Sequence, residues 1–251
     1  MPAPVKPGAW YRAIAVLVIP VLRLLTRRDW QGGEHLPRSG GCLVVGNHLS
    51  YLDTLTLADF TLAQGRPVRY LAKSSLFSTP LLGTVMRRTG HIPTYRGTAD
   101  AAQALRHAVT AIERGEAVAV LPEGTLTRDP RLWPMTGKTG AARIALTTGC
   151  PVIPTAQWGP QELLPPYGRP RPFPRKTMRC RAGAPVDLSE FHGRELTAAV
   201  LREATEKIMA AVVAQLEHLR GETAPTERFD PRTRGVTETG RPRRTDEGER
   251  A

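Results

Sequence analysis

The chain has 251 residues, of which 41% are hydrophobic and 23% charged, a balance that excludes a fibrous or wholly disordered protein and supports a sizeable core in one or two domains. Lys and Arg number 35 against 23 Asp and Glu, and the formal net charge of +12 calls for an anionic partner: nucleic acid, lipid headgroups or a phosphorylated metabolite. Cys42, Cys150 and Cys180 form no CxxC pair, which argues against a zinc knuckle or disulfide framework, and the sparse aromatics avoid glycine-flanked basic stretches, which argues against nucleic acid.

In chain order, the first feature is an apolar run over residues 13–22, bounded by Arg12 and Arg23 and interrupted by Pro20. It is shorter than the ~20 residues needed to cross a bilayer. Arg23, Arg27 and Arg28 follow it where a signal peptide would place small residues. Trp10 and Tyr11 at one end and arginines at both ends fit an interfacial helix making up residues 1–30, lying on a membrane; an ordinary core helix carries the same apolar run.

From residue 42 onward, short β-branched runs alternate with helical segments. Strands are predicted at 42–46, 68–72, 117–122, 151–158 and 176–183, and helices at 52–63, 98–114 and 138–148. The 98–114 helix places Ala101, Leu105, Ala108, Val109 and Ile112 on one face. This alternation predicts an α/β fold: a single domain, residues 31–220, with a largely parallel central sheet flanked by helices, preceded by the membrane-associating helix. A long helix over 195–219 carries Leu201, Ala204, Ile208, Val212, Leu216 and Leu219 on one stripe. Residues 221–251, nearly free of large apolar side chains, are expected to be a disordered polar tail.

That tail holds seven arginines and seven acids, so the excess positive charge belongs to residues 1–220. Two stretches contain basic residues and no acid: 60–99, with Arg66, Arg69, Lys73, Arg87, Arg88 and Arg96, and 163–186, with Arg169, Arg171, Arg175, Lys176, Arg179 and Arg181. They suggest a basic surface facing an anionic interface or ligand, the other reading being arginines scattered in solvent.

The chemical signal begins at NHLSYLD, residues 47–53, directly after an apolar strand. Five residues of ideal helix turn through about 500°, so His48 and Asp53 would not share a helical face. With His48 in the loop and Asp53 in the following helix, the aspartate can accept a hydrogen bond from one imidazole nitrogen and strengthen the other as a base. No GxSxG elbow exists and no cysteine lies near His48 in sequence, so the nucleophile is expected to be a substrate hydroxyl attacking an activated carbonyl such as a thioester. GKT at residues 137–139 lacks the glycine a phosphate-binding P-loop needs, that position being Leu132; Lys138 remains a phosphate-contact candidate where a helix opens.

NHLSYLD resembles the first block of the glycerolipid acyltransferases, the 1-acylglycerol-3-phosphate acyltransferase family. GHIPTYR at 90–96 is similar to the second block, LPEGTLTR at 121–128 to the third, and PVIP at 151–154 to the fourth, all in the family's order. The resemblance implies that His48 is the general base and Asp53 its orienting partner. It further implies that Arg96 binds the acceptor's phosphate, that Glu123, Gly124 and Thr125 lie at the acceptor site, and that Pro154 shapes the acyl-donor side. Two positions depart from the pattern: Tyr95 replaces the usual acid and Leu126 the usual arginine, with Arg128 able to supply the missing charge.

The implied activity is transfer of a fatty acyl group to the sn-2 hydroxyl of 1-acylglycerol-3-phosphate, giving phosphatidate. Acyl-CoA or acyl-carrier protein is the expected co-substrate, with no metal or bound organic cofactor. The expected partners are the lysophospholipid acceptor, the thioester donor and an anionic membrane surface, with no nucleic acid, and the expected location is peripheral on the cytoplasmic face of the cell membrane. A different lysophospholipid, glycolipid or ornithine-type acceptor, or a non-catalytic membrane-binding module, are the competing readings.

Overall fold

A computed structural model describes residues 7–94 and 99–236. In chain order the elements are α1 (Ala9–Leu25), β1 (Thr26–Gln31), β2 (Cys42–Gly46), α2 (Asp53–Ala63), β3 (Val68–Lys73), α3 (Ser74–Phe77), α4 (Leu82–Arg88) and β4 (Ile92–Thr94). They continue with α5 (Ala99–Glu113), β5 (Ala117–Val120), α6 (Gly140–Thr148), β6 (Val152–Trp158), α7 (Pro160–Leu163), β7 (Lys176–Ala182) and α8 (Ala198–Arg220).

The seven strands form one sheet in the order β1-β7-β6-β2-β5-β3-β4. Five of them, β6 through β4, run parallel; β7 is antiparallel to β6, and β1 is parallel to β7. Period-two alternation divides the core between the two faces. Leu43, Val45, Val118 and Val120 meet α5, α6 and α8 on one side, while Cys42, Val44, Ala117 and Ala119 meet Leu57 and Phe60 of α2 on the other. α8 is held at both ends: the Thr197 hydroxyl accepts from Val200 N–H, and Gly221 closes the helix in a left-handed conformation, φ 65°.

Two expectations about the ends of the chain are corrected. Residues 1–30 do not form one helical segment, because α1 ends at Leu25 and Thr26–Gln31 is an edge strand paired with β7. Thr26 makes the break: its hydroxyl donates back to Leu22 O at 2.6 Å while its backbone turns extended, and its buried side chain begins the strand. The short β4, α3, α4 and α7 went unpredicted because three to seven residues are too few to show a hydrophobic period.

The second correction concerns the C-terminal segment. Residues 221–236 fold back on the domain instead of forming the start of a disordered tail, and residues 237–251 lie outside the described residues. Thr136 N–H donates to Phe229 O at 3.0 Å, Ala224 N–H to Glu217 Oε1 at 2.7 Å, and Arg228 pairs with Glu206. At the root of this segment Arg220 is clamped between two indoles, its Cζ 4.0 Å from the Trp133 ring centroid and 4.4 Å from that of Trp158. It also donates to Arg131 O at 2.9 Å. Apolar content alone misses such a segment, since backbone bonds and a stacked guanidinium hold it.

α1 is apolar on two sides. Tyr11, Ile14, Ala15, Val18, Leu22 and Leu25 are half-buried toward the domain, whereas Ala13, Val16, Leu17, Pro20, Val21 and Leu24 form an exposed stripe at helical spacing. No helix among the described residues is long and apolar enough to cross a membrane.

Replacing Arg220 by Ala should remove both cation–π stacks and the bond to Arg131 O, costing about 2 kcal/mol. Calorimetry should show Tm lower by roughly 4–8 °C, and limited proteolysis should cut within 221–236. An unchanged melting point would show that the clamp contributes nothing.

Candidate active site

Because β2 and β5 are neighbours and parallel, the loops leaving their C-terminal ends meet. The first loop carries residues 47–52 and the second residues 121–139. The sheet itself sets the first loop: Asn47 extends the β2–β6 ladder with its side chain, donating to Gln157 O at 3.0 Å and accepting from Gln157 N–H at 2.8 Å.

His48 follows in the loop, and Asp53 is the first residue of α2. His48 Nδ1 lies 3.0 Å from Asp53 Oδ2, and the same oxygen accepts the backbone N–H groups of Leu49 and Ser50. With the carboxylate acting as acceptor, Nδ1 carries the proton and Nε2 keeps its lone pair. Asp53 is fully buried, and the N-terminus of α2 favours its negative charge. The imidazole is 16% exposed, so the ring is held yet reachable.

The second loop grips the backbone of His48 from both sides. Glu123 Oε1 accepts from His48 N–H at 2.9 Å, and Thr127 N–H donates to His48 O at 2.8 Å. The other Glu123 oxygen accepts from Met135 N–H at 3.0 Å, and the Thr127 hydroxyl donates to Trp133 O at 2.7 Å. Burial pushes the Glu123 carboxyl up to about 8, against the pull of the Met135 and His48 amides and the Thr127 hydroxyl.

This geometry corrects the expected roles of two residues. Glu123 is buried with both oxygens committed to backbone amides, so it ties loops together and does not face an acceptor. Pro154 is buried within β6 opposite Val45, where its carbonyl accepts from Gly183 N–H at 2.8 Å. Lacking an N–H, it cannot return that bond, and its place is in the sheet behind the His48 loop and not on a substrate wall.

The remaining candidates lie in the second loop, apart from Arg96, which falls outside the described residues. Gly124 is exposed with φ +68°, and a Cβ there would sit 3.3 Å from Lys138 Nζ, so the exposed Lys138 chain passes directly over it. Thr125 is half-buried beside them. Arg128 is buried with its guanidinium 5.1 Å from the Tyr167 ring centroid, and Tyr167 meets the exposed Tyr51 edge-on at 6.2 Å. Leu126 points into the core, 1% exposed, so no polar contact is available from that position.

Sequence reasoning missed Asn47, Thr127 and Gln157, all of which fix the His48 loop. A polar residue directly after the apolar run, at Asn47, was the one available signal. A cleft of about 560 Å³ opens beyond β3 and β4, lined by Ser74, Ser75, Ser78, Arg87 and His91 among others, on the chain leading toward Arg96. His91 there accepts from Tyr70 N–H at 3.1 Å, and burial with the Arg69 charge lowers its pKa to about 4, leaving it neutral. Cys42 and Cys180 are buried in the core, and burial pushes both thiols up, so neither is an activated nucleophile.

The comparisons agree with this architecture. Residues 27–158 match the family model described as Acyltransferase. A chloroplastic 1-acyl-sn-glycerol-3-phosphate acyltransferase of Brassica napus is 35% identical over 141 residues, 55% of this chain and 39% of that protein. A 1-acyl-sn-glycerol-3-phosphate acyltransferase of Borreliella burgdorferi is 29% identical over 157 residues, 61% of this chain and 55% of that protein. The matched region thus spans well under two thirds of these relatives' lengths. The crystal structure of the 1-acyl-sn-glycerophosphate acyltransferase PlsC from Thermotoga maritima shares the fold, with TM-score 0.61, 24% identity, and coverage of 85% of this chain and 81% of that one. The match over more than half of the chain, on the strands and loops that build the His48 site, shows that the protein belongs to the acyltransferase family.

Proposed function

We propose that the protein transfers a fatty acyl group from acyl-CoA or acyl-carrier protein to the sn-2 hydroxyl of 1-acylglycerol-3-phosphate, forming phosphatidate. The observation that carries this reading is the His48–Asp53 pair, whose imidazole is fixed through Nδ1 and free to act through Nε2. Nε2 takes the proton of the acceptor hydroxyl as its oxygen attacks the thioester carbonyl. The tetrahedral intermediate then expels the thiolate, which leaves as thiol with that proton. Asp53 stabilises the imidazolium formed between the two steps.

The acceptor phosphate is assigned to Arg96 and, among the described residues, to Lys138 over the Gly124 backbone as a second cation, with Thr125 beside it. Arg128 supports this side of the site by packing on Tyr167. The buried Leu126 keeps a second acceptor class in play, because the charge usual at that position is missing. The exposed apolar stripe of α1, flanked by Arg12 and Arg23, supports a peripheral position on the cytoplasmic face of the cell membrane, where a lysolipid acceptor would reside.

His48→Ala should lower turnover by about 10²–10⁴-fold with the fold intact. The assay is radiolabelled acyl transfer to lysophosphatidate, and a rate near wild type would defeat the mechanism. In a panel of lysolipid acceptors, lysophosphatidate should be preferred; equal rates for uncharged glycolipid or ornithine-type acceptors would favour the other acceptor class.

Glu123 makes stability depend on pH in a defined direction. Its folded-state pKa lies above the ordinary carboxylate value, so folding takes up a proton between about pH 4.5 and 8. The stabilisation is fully present below the unfolded value and is lost as pH rises through about 8, by at most ~1.4 kcal/mol per pH unit. Glu123→Gln should flatten this slope in denaturant titrations. It should also cost about 1–3 kcal/mol at low pH, because its NH₂ group would confront the amide of His48 or Met135. A slope unchanged by the substitution would place the ionisation elsewhere.

A further inference from the structure

Phe173 is 79% exposed in the 164–175 loop, in the run Arg169-Pro-Arg171-Pro-Phe173-Pro-Arg175. Arg169, Arg171 and Arg175 are exposed around it, within the stretch 163–186 that contains no acid. Alternate prolines stiffen the loop, so little conformational entropy remains to be lost when it docks.

The loop is tied to two other parts of the molecule. Arg175 Nη2 donates to Arg23 O at 2.6 Å and to Thr26 O at 2.8 Å, fastening it to the end of α1. At its start, Ser50 Oγ donates to Leu164 O at 2.7 Å and Tyr167 meets Tyr51, fastening it to the loop that carries His48.

The opposite end of α1 has a comparable feature. α4 lies against α1 there, with Arg88 Cζ 5.3 Å from the Trp10 ring centroid. Immediately before α4, Leu82 N–H donates to Pro80 O at 2.6 Å in a γ-turn that holds Leu81 at φ 58°, ψ −59° and leaves its side chain 85% exposed. A leucine kept at positive φ costs energy and here contributes no packing in return.

We propose that Phe173 and Leu81 are membrane anchors, which together with the α1 stripe insert into an anionic bilayer. This deepens the interfacial role proposed for α1 and rests on it. Several exposed arginines in acid-free segments select the anionic surface, and the protruding apolar side chains supply insertion. Of the twelve basic residues in the two acid-free stretches, some are committed inside the protein: Arg66 is buried on the carbonyls of Arg38, Gly40 and Gly115, Arg69 pairs with Glu116, and Arg179 with Asp29. Arg169 and Arg171 near Phe173 and Arg88 in α4 stay exposed, and Arg87 and Arg175 are exposed too while also donating to Phe77 O and to Arg23 O and Thr26 O. The link from Phe173 to the His48 loop then turns the site toward the lipid phase that holds the acceptor.

The test is flotation of the full chain with vesicles of phosphatidylglycerol and phosphatidylcholine, comparing wild type with Phe173→Ser, Leu81→Gly and a Val16, Leu17, Val21 triple serine variant. Each single anchor variant should bind about tenfold more weakly. Leu81→Gly should melt at the wild-type temperature or above it, because glycine relieves the strained turn; a lower melting point with unchanged flotation would assign Leu81 a structural role and overturn its part. Phe173→Trp should be quenched by brominated acyl chains beyond the wild-type level. Salt-sensitive binding without that quenching would indicate headgroup contact only and overturn insertion. Full binding by both single variants with loss in the triple variant overturns these anchors and spares α1, whereas full binding by all three overturns the membrane reading itself. A lipid-free dimer abolished by Phe173→Ser would make this face a contact between two copies, against the proposal.

Discussion

The arrangement depends on the buried carboxyl group of Glu123, which joins the amide of His48 in one loop to that of Met135 in another. Two loops that merely neighbour one another at the end of a parallel sheet would leave a histidine free to wander. With its N–H held by Glu123 and its carbonyl by Thr127, His48 has one remaining freedom, rotation of its ring, and Asp53 removes that. The cost of burying Glu123 appears as its raised pKa, which the two amide donors only partly offset.

The restraint extends beyond the loops. Thr127 reaches Trp133, Trp133 lies against Arg220, and Arg220 roots the 221–236 segment. The 221–236 segment is therefore connected, through Thr127, Trp133 and Arg220, to the backbone of the residue proposed to move the proton. On the opposite side, Ser50 and Tyr51 connect the same loop to the 164–175 segment and through Arg175 to α1. One short loop is the junction of the sheet, the C-terminal segment and the N-terminal helix.

Much of this was legible in the sequence, for reasons particular to each element. CLVVG at 42–46 is buried at every position, and such a run reads as a central strand whatever its surroundings. The spacing from His48 to Asp53 excluded a shared helical face and pointed to a loop–helix junction. Glu123 was visible as a residue of interest, yet its role was not, since a motif cannot distinguish a carboxylate facing a ligand from one consumed by two amides. β1 was hidden because Thr26–Gln31 carries four polar or charged residues beyond Thr26 and shows an edge strand's mixed burial. The acid-free segments were legible as charge but not as surface: Arg69 and Arg179 find their acids in strands and loops distant in sequence.

The central claim is that His48 activates a substrate hydroxyl, so that the acyl group passes directly from thioester to lipid without resting on the protein. Rapid-quench single turnover with radiolabelled acyl thioester addresses this directly. Without acceptor, the acid-precipitated protein should carry no label; on addition of lysophosphatidate, label should appear in phosphatidate in one step. Label retained covalently on the protein and chased into lipid by the acceptor would contradict the account, since it would require a protein nucleophile in place of the acceptor hydroxyl.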